Sequence, residues 1–300
     1  RYVLKIASPL EDLALVDFQT QALLHLETAD STITVPRVQR SLDGNLFEPL
    51  ATEHGEHPVR VLSWVEGTPF GELDPPSHDT IAKIGALQGR MCRAFRGFMH
   101  EGGSHFMPWD ILNGLVESDT LCNNYLRGDL AKRCEPVLAH LAESALPRMR
   151  QLPHQVIHND AHGGNVLCDP QNPTTVTGVI DFGDLLYRPL VVDLATSLSS
   201  FLERGVSPVE ESAVLVGGFA QHMNIPSEQL ELVYDALMAR AILIVQLLQF
   251  RAENTQASAS LVDEDIPIVN RGLELALTID RDEFHDALQD AVSQRSTHEQ

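Results

Sequence analysis

Apolar and polar positions alternate over residues 1–6 (Arg-Tyr-Val-Leu-Lys-Ile), which predicts a β-strand at the start of the chain. The period then lengthens. Leu13, Val16, Leu23, Leu24 and Leu26 form a helical stripe over residues 9–26, with Pro9 suited to a first turn and Glu11 and Asp12 to its positive end. Residues 33–38 and 44–50 read as strands separated by a turn at 41–44, and 54–57 read as a polar turn. Residues 59–65 make the best strand of this half. From Ser77 the pattern becomes helical through residue 98, with Ile81, Ile84, Leu87, Met91 and Phe95 on one face until Gly102-Gly103 breaks it. A short helix opens at 106–110. Another amphipathic helix carries Leu130, Cys134, Val137, Leu138 and Leu141. Further helices are predicted over 191–202, 208–222, 226–253, 266–278 and 283–292, that over 226–253 being apolar nearly all round. Strands thus precede Glu66 and helices dominate after it, an α+β organisation with a cleft expected near Glu66.

One stretch breaks this division. Residues 152–157 predict a short strand running into a loop that holds His158, Asp160 and, after four intervening residues, Asn165. A second apolar strand starts at Asn165, and turn formers at 169–173 reverse the chain. Residues 176–180 return as a third strand and deliver Asp181-Phe182-Gly183. The hairpin presents Asp160, Asn165 and Asp181 at one end. Phosphoryl transfer calls for this set: one carboxylate to orient a hydroxyl, and a second carboxylate with an amide oxygen to hold Mg²⁺ against the phosphates.

The two linked motifs, His158-x-Asp160-x-His162-x-x-Asn165 and Ile180-Asp181-Phe182-Gly183-Asp184, resemble the aminoglycoside phosphotransferase/choline kinase superfamily. These are small-molecule kinases built on the protein-kinase fold. Within the superfamily the stretch is similar to the hydroxylysine kinase branch and to kinase-like domains fused to aminotransferases. The resemblance implies a bilobal protein-kinase-like fold: a small N-terminal sheet lobe over residues 1–66, which binds nucleotide, and a larger, mainly helical C-terminal lobe over 67–295. The family places two further strands and a phosphate-covering loop before the segment matched by Val3-Leu4-Lys5-Ile6, so the sheet lobe reads as truncated. It further implies ATP or GTP as co-substrate, Mg²⁺ on Asn165 and Asp181, and Asp160 as the group that orients the acceptor hydroxyl. His158 would brace the catalytic loop and His162 would orient Asn165 or phosphate. Lys5 would neutralise the α and β phosphates, held by Asp17, with Glu11 as a rival. Ser63, Trp64 and Val65 would flank the base, beside a hinge at Glu66-Gly67-Thr68-Pro69. Asp193 would brace the catalytic loop through its backbone. Trp109 and Asp110 are candidate substrate-pocket residues, a packed tryptophan with a capping aspartate being the plainer alternative.

Charge narrows the partners. Asp and Glu number 42 against 21 Lys and Arg, a formal net charge of −21. That argues against nucleic acid or an anionic membrane as partner, both of which demand a basic face. It suits a cationic acceptor, or solubility alone. Cys92, Cys122, Cys134 and Cys168 show no paired spacing and read as reduced thiols of a cytoplasmic protein. No apolar run reaches membrane-spanning length.

Hydroxylysine is the first acceptor that the resemblance suggests, with aminoglycosides, ethanolamine, choline and homoserine as alternatives. Asp184 is the strongest candidate for an acceptor's ammonium, followed by Glu253, Asp263, Glu264 and Asp265. Two other readings stand beside the kinase. His154, His158 and His162 recur every four residues, as metal ligands on a helix would, although Pro153, Gly163-Gly164 and the β-branched Val156-Ile157 make a poor helix. A non-catalytic kinase-like module serving a fused or partner metabolic enzyme is the second.

Overall fold

The computed structural model describes residues 1–73, 76–115, 125–204, 207–254 and 261–296. β1 (Tyr2–Ile6) is followed by α1 (Leu13–Ala29), β2 (Val38–Gln39), β3 (Glu48–Thr52) and β4 (Gly55–Ser63). β4 is the spine of this sheet: β1, β2 and β3 all pair with it antiparallel, and Lys5 stands opposite Arg60. β5 (Thr68–Pro69) and α2 (His78–Ala94) lead into the helical half, then α3 (Gly128–His140) and α4 (Leu146–Gln151). Four short strands follow: β6 (Gln155–Ile157), β7 (Val166–Asp169), β8 (Asn172–Val179) and β9 (Leu186–Arg188). The remainder is α5 (Leu190–Arg204), α6 (Pro208–Phe219), α7 (Ser227–Leu230), α8 (Val233–Asn254), α9 (Ile266–Ala276) and α10 (Arg281–Ser296).

Local chemistry explains where the elements begin. Ser77 caps α2 by accepting the Thr80 N–H at 3.2 Å, as its position predicts. α1 starts later than the Pro9 signal suggests, because Asp12 accepts the Ala14 N–H at 2.9 Å and acts as the cap. The strand expected over 33–38 shrinks to two residues. Ile33 and Val35 point into the core, but Pro36 has no N–H to give a ladder. The helix expected over 106–110 is absent, replaced by turns. The long helix expected over 226–253 divides into α7 and α8 at residues 231–232.

The core is continuous across both halves. Phe18, Leu23 and Leu26 of α1 join Phe95, Val156, Ile157, Leu194, Leu198 and the α8 residues Leu237, Ile242 and Leu243 in one cluster. The linker crosses this body at Gly67 (φ 144°), where a β-carbon would run into Thr177 and lie 2.9 Å from the Leu167 side chain. Only glycine lets the chain pass so close to β7 and β8. Cys92, Cys134 and Cys168 are buried free thiols, and Cys122 lies outside the described residues. Among the described residues no helix is long and apolar enough to cross a membrane.

Candidate active site

The β7–β8 hairpin and the two short segments flanking it carry the chemistry. β6 pairs with β9, and β7 pairs with β8. The loop after β6 therefore lies beside the residues that follow β8. Two non-glycine residues here take left-handed backbone, Asn159 (φ 61°) and Asp181 (φ 58°). Such conformations cost of order 1–3 kcal/mol and persist where the surroundings enforce them. Asp193 does so for Asn159, accepting its N–H at 2.7 Å while also holding Gln88 and the Cys92 thiol. The bracing expected of Asp193 is thus made through the Asn159 backbone.

Hydrogen bonds fix the tautomers. The Asp160 N–H donates to His158 Nδ1 at 3.2 Å, so the ring's proton is on Nε2, which faces the Ile180 carbonyl at 3.1 Å. Burial lowers the His158 pKa and keeps the ring neutral. It packs edge-on against Phe182, 4.6 Å between centroids. His162 works the same way: Gly164 N–H donates to its Nδ1 at 3.0 Å, leaving Nε2–H 3.6 Å from Asp160 Oδ2. Burial, then the nearby Arg240 cation, depresses its pKa to about 4. The 3.4 Å approach of His162 Nε2 to Asn165 Nδ2 brings two donors together, so His162 aims at Asp160 rather than orienting Asn165 by a hydrogen bond.

Asn165 donates through Nδ2 to Asp160 twice, to the backbone oxygen at 2.9 Å and to Oδ2 at 2.6 Å. Both amide hydrogens are thereby committed, and Oδ1 is left as an acceptor. An amide oxygen and a carboxylate such as that of Asp181 are donors of the kind a hard divalent cation takes. Asp181 itself receives Lys5 Nζ at 2.7 Å. Burial raises the Asp181 pKa, but the bond and charge from Lys5 outweigh this and bring it below the ordinary value. Among the described residues no three His, Cys, Asp or Glu side chains gather as a metal site. The histidine cluster is therefore absent: His154 donates from Nδ1 to the Leu152 carbonyl at 2.7 Å and stacks on Tyr187, while β6 occupies the segment where a helix would have been needed.

Asp17 does not hold Lys5. It faces the other way, 3.1 Å from His100 Nε2 and bonded to Gln21. Lys5 is held by Asp181 instead, and two residues on from Asp17, Gln19 links the helix to the cleft. It donates to Gly183 O at 3.0 Å and accepts from Arg60, which also bonds Val16 O and Thr20 on α1. Arg60, opposite Lys5, thus ties the helix to the sheet. Gln19 and Arg60 carry no catalytic signature in sequence; only the cross-strand register brings them beside the cleft.

That cleft is an apolar slot of about 270 Å³ between sheet and hairpin, with Leu23, Leu62, Leu167 and Ile180 among its walls and Lys5 and Asp181 at its polar end. Ser63, Trp64 and Val65 line it as expected. Ser63 N–H and Trp64 N–H are already bonded to the carbonyls of Arg37 and Arg1.

A second cavity, about 370 Å³, opens on the hairpin's other side. Asp160, His162 and Asp184 form one wall, α8 and α9 supply Ile244, Leu247, Leu248, Ile268 and Val269, and Glu203, Asp265 and Arg251 share the lining. Trp109 belongs here, its ring under the Arg251 guanidinium at 4.2 Å. Asp110 does not: it is fully buried, ion-paired to Arg188 at 2.5 Å, and caps the Leu112 N–H. Glu253 turns to Arg127 at 3.2 Å, and Asp263 and Glu264 are exposed outside the cavity lining. Burial raises the carboxyl pKa of Asp160, opposed chiefly by Arg240. Asp184 is pushed up to about 6 by burial and by repulsion from Asp160 and Asp181. Arg240, missed in the sequence, is the buried cation among these acids, as is Glu203 a missed acid. A lone arginine inside the apolar run Met238-Ala239-Arg240-Ala241-Ile242 was the available signal, since buried charges are kept only with partners.

An α+β body with an apolar slot, the Lys5–Asp181 pair at its polar end and a second carboxylate, Asp160, on a separate cavity fits a kinase-like phosphotransferase. The sequence pattern of the phosphotransferase enzyme family (APH) matches residues 1–222, and the chain belongs to that family. It is a small-molecule kinase, with an alcohol group as acceptor. It is 21% identical to hydroxylysine kinase of Mus musculus over 255 residues, 80% of this chain and 67% of that one, and 20% identical to the Danio rerio hydroxylysine kinase over 253 residues. Among solved structures, an amicoumacin kinase in complex with AMP-PNP, Ca²⁺ and Ami superposes with a TM-score of 0.69 at 19% identity, covering 95% of this chain and 85% of its own. A microcompartment-associated aminopropanol kinase gives 0.70 at 17% identity, covering 92% and 84%. The fold is therefore the bilobal kinase-like one. One of these neighbours holds AMP-PNP and Ca²⁺, and another, an aminoglycoside 2'-phosphotransferase-IIIa 14% identical to this chain with a TM-score of 0.57, was solved as its GDP complex.

Proposed function

We propose that this protein transfers the γ-phosphoryl group of ATP, or of GTP, to a hydroxyl of a small amine-bearing metabolite, with hydroxylysine as the leading acceptor. The observation that carries the reading is the two-sided hairpin: Asp181 lines the slot on one side and Asp160 lines the polar cavity on the other. Nucleotide held by residues 1–66 and acceptor held by 67–295 would then meet across it. The base slides between Leu62, Leu167 and Ile180, its polar edge read from Val65 onward, because the two preceding N–H groups are engaged.

Asp160 orients the acceptor hydroxyl. The oxygen attacks the γ-phosphorus in line, the bond to the β–γ bridging oxygen breaks, and the hydroxyl proton passes late to Asp160. Lys5, released from Asp181 by the incoming phosphates, screens their charge. Asp181 and Asn165 would hold Mg²⁺, which would supply charge neutralisation for the phosphates. His158 and Asp193 hold the loop rigid, so positioning and fixed electrostatics supply the acceleration. Three acids on the acceptor cavity, Asp184, Glu203 and Asp265, favour an ammonium-bearing acceptor, and the hydroxylysine kinase relatives support the same class. Buried, unpaired thiols suit a cytoplasmic setting.

The test is an ADP- or GDP-release screen with Mg-ATP and Mg-GTP over 5-hydroxylysine, ethanolamine, choline, homoserine and aminoglycosides, using full-length protein. Turnover of 5-hydroxylysine above the others is expected. Equal turnover of an analogue lacking the amine would refute the cationic acceptor, and no thermal stabilisation by either nucleotide would favour the non-catalytic module.

A further inference from the structure

Arg240 sits on α8 at the wall of the acceptor cavity and is only 5% exposed. Its guanidinium is poorly satisfied for so enclosed a group. Nη1 donates to the Trp109 carbonyl at a long 3.3 Å, Nη2 stands 3.7 Å from Asp160 Oδ1, and Nε has no partner. Burying a charge with an unpaired N–H is unfavourable, and an apolar core position would not select one. Packing therefore does not account for Arg240.

The two oxygens of Asp160 are not equivalent. Oδ2 is taken by Asn165 Nδ2 at 2.6 Å, and His162 Nε2–H approaches it at 3.6 Å. Oδ1 is the oxygen left to meet the acceptor hydroxyl. At 3.7 Å Arg240 is too far to use up a lone pair of Oδ1, yet close enough, in a site this enclosed, to fix the direction in which the carboxylate points. Asp184 and Glu203 line the same cavity as Arg240 and Asp160, so without the guanidinium the carboxylate would face acids of its own sign with less compensation.

We propose that Arg240 is a positioning residue for phosphoryl transfer, holding Asp160 Oδ1 toward the acceptor hydroxyl and acting through that carboxylate rather than on the substrate. The proposal rests on Asp160 being the group that receives the hydroxyl. It assigns the cation to the rate of transfer and leaves recognition of the acceptor to the acids around it.

The experiment compares Arg240→Met and Arg240→Lys with the parent in full-length protein, reading Tm, kcat and the KM values. Turnover is followed with Mg-ATP and 5-hydroxylysine and, independently of the acceptor, with water as the acceptor in basal Mg-ATP hydrolysis. R240M is expected to lower Tm, since the acids around the guanidinium lose their counter-charge, and to lose about 30–100-fold in kcat in both assays at temperatures well below its own Tm, the scale of a misplaced reacting group. Its KM values for nucleotide and acceptor should stay within about threefold of the parent, whereas the loss of a merely structural residue would lower Tm and leave kcat parental well below it. R240K keeps the charge on a shorter, differently shaped head and is expected to lose about tenfold in kcat at unchanged KM. A parental kcat in R240M measured well below its Tm, or a loss confined to the acceptor KM, would each overturn the proposal. If R240M does not fold, R240K decides, and parental kcat there overturns it. The underlying reading fails differently. Near-parental turnover in Asp160→Asn removes the group Arg240 is said to position. Absence of 5-hydroxylysine turnover by the parent removes only the acceptor, with the hydrolysis arm still deciding Arg240.

Discussion

Replacing Asp184 by asparagine separates the cost of holding a carboxylate in the acceptor cavity from the use made of it. Burial, then repulsion from Asp160 and Asp181, lifts this carboxyl from 3.8 to about 6. At about 1.4 kcal/mol per tenfold change in proton affinity, that gap amounts to about 3 kcal/mol. The sign follows from linkage. The folded protein binds this proton more tightly than the unfolded chain, so the penalty is absent below about pH 4, grows as pH rises through about 6, and is complete at neutral pH. Asparagine keeps the shape and removes the charge. Asp184→Asn should therefore raise Tm near pH 7.5 by about 4–6 °C, at about 2 °C per kcal/mol for a chain of this size, and the gain should vanish toward about pH 4. The same change removes the attraction for an acceptor's ammonium. It should raise the acceptor KM about 30-fold, or about 2 kcal/mol, with little change in nucleotide affinity. In the parent, acceptor KM should climb as pH falls through about 6. The assays are thermal melts at the two pH values and acceptor titrations with 5-hydroxylysine. A variant no more stable than its parent at neutral pH refutes the buried-charge reasoning. An unchanged acceptor KM refutes the role given to the charge.

Asp160→Asn should lower turnover by about 10²–10⁴-fold while Mg-nucleotide still raises Tm; near-parental turnover would show that Asp160 does not receive the proton. Asp181→Ala should weaken nucleotide binding and flatten its dependence on Mg²⁺, and an unaltered Mg²⁺ dependence in a binding titration would remove Asp181 from the metal site. Asp17→Asn should leave the KM for Mg-ATP within about twofold and cost about 1 kcal/mol of stability through the His100 contact, whereas Gln19→Ala should raise that KM; the reverse ranking would restore Asp17 as the residue that supports Lys5.

Local chemistry on the chain determined a good part of this protein. The spacing from His158 through Asp160 to Asn165, and the return strand ending in Asp181, lie within one hairpin, so sequence separation alone brings these residues to one end. The strands before Glu66 and the helices after it were legible because burial on one face imposes periods of 2 and 3.6. Ser77 was legible as a cap because its side chain satisfies an N–H three residues away.

Tertiary structure decided what local pattern does not encode. Asp17 and Gln19 are two residues apart on one helix, and only its rotation against the sheet sends Gln19 to Gly183 and Asp17 to His100. Arg60 reaches the cleft through the register that pairs it with Lys5 across two strands far apart in sequence. Asp110 read as a pocket residue until Arg188, 78 positions away, claimed its carboxylate. Arg240 meets Asp160 across 80 residues because α8 packs on α5, and the raised pKa of Asp184 follows first from its burial and then from the Asp160 and Asp181 charges beside it. A side chain's type and period are properties of the chain; its partner and the dielectric around it are properties of the packed fold.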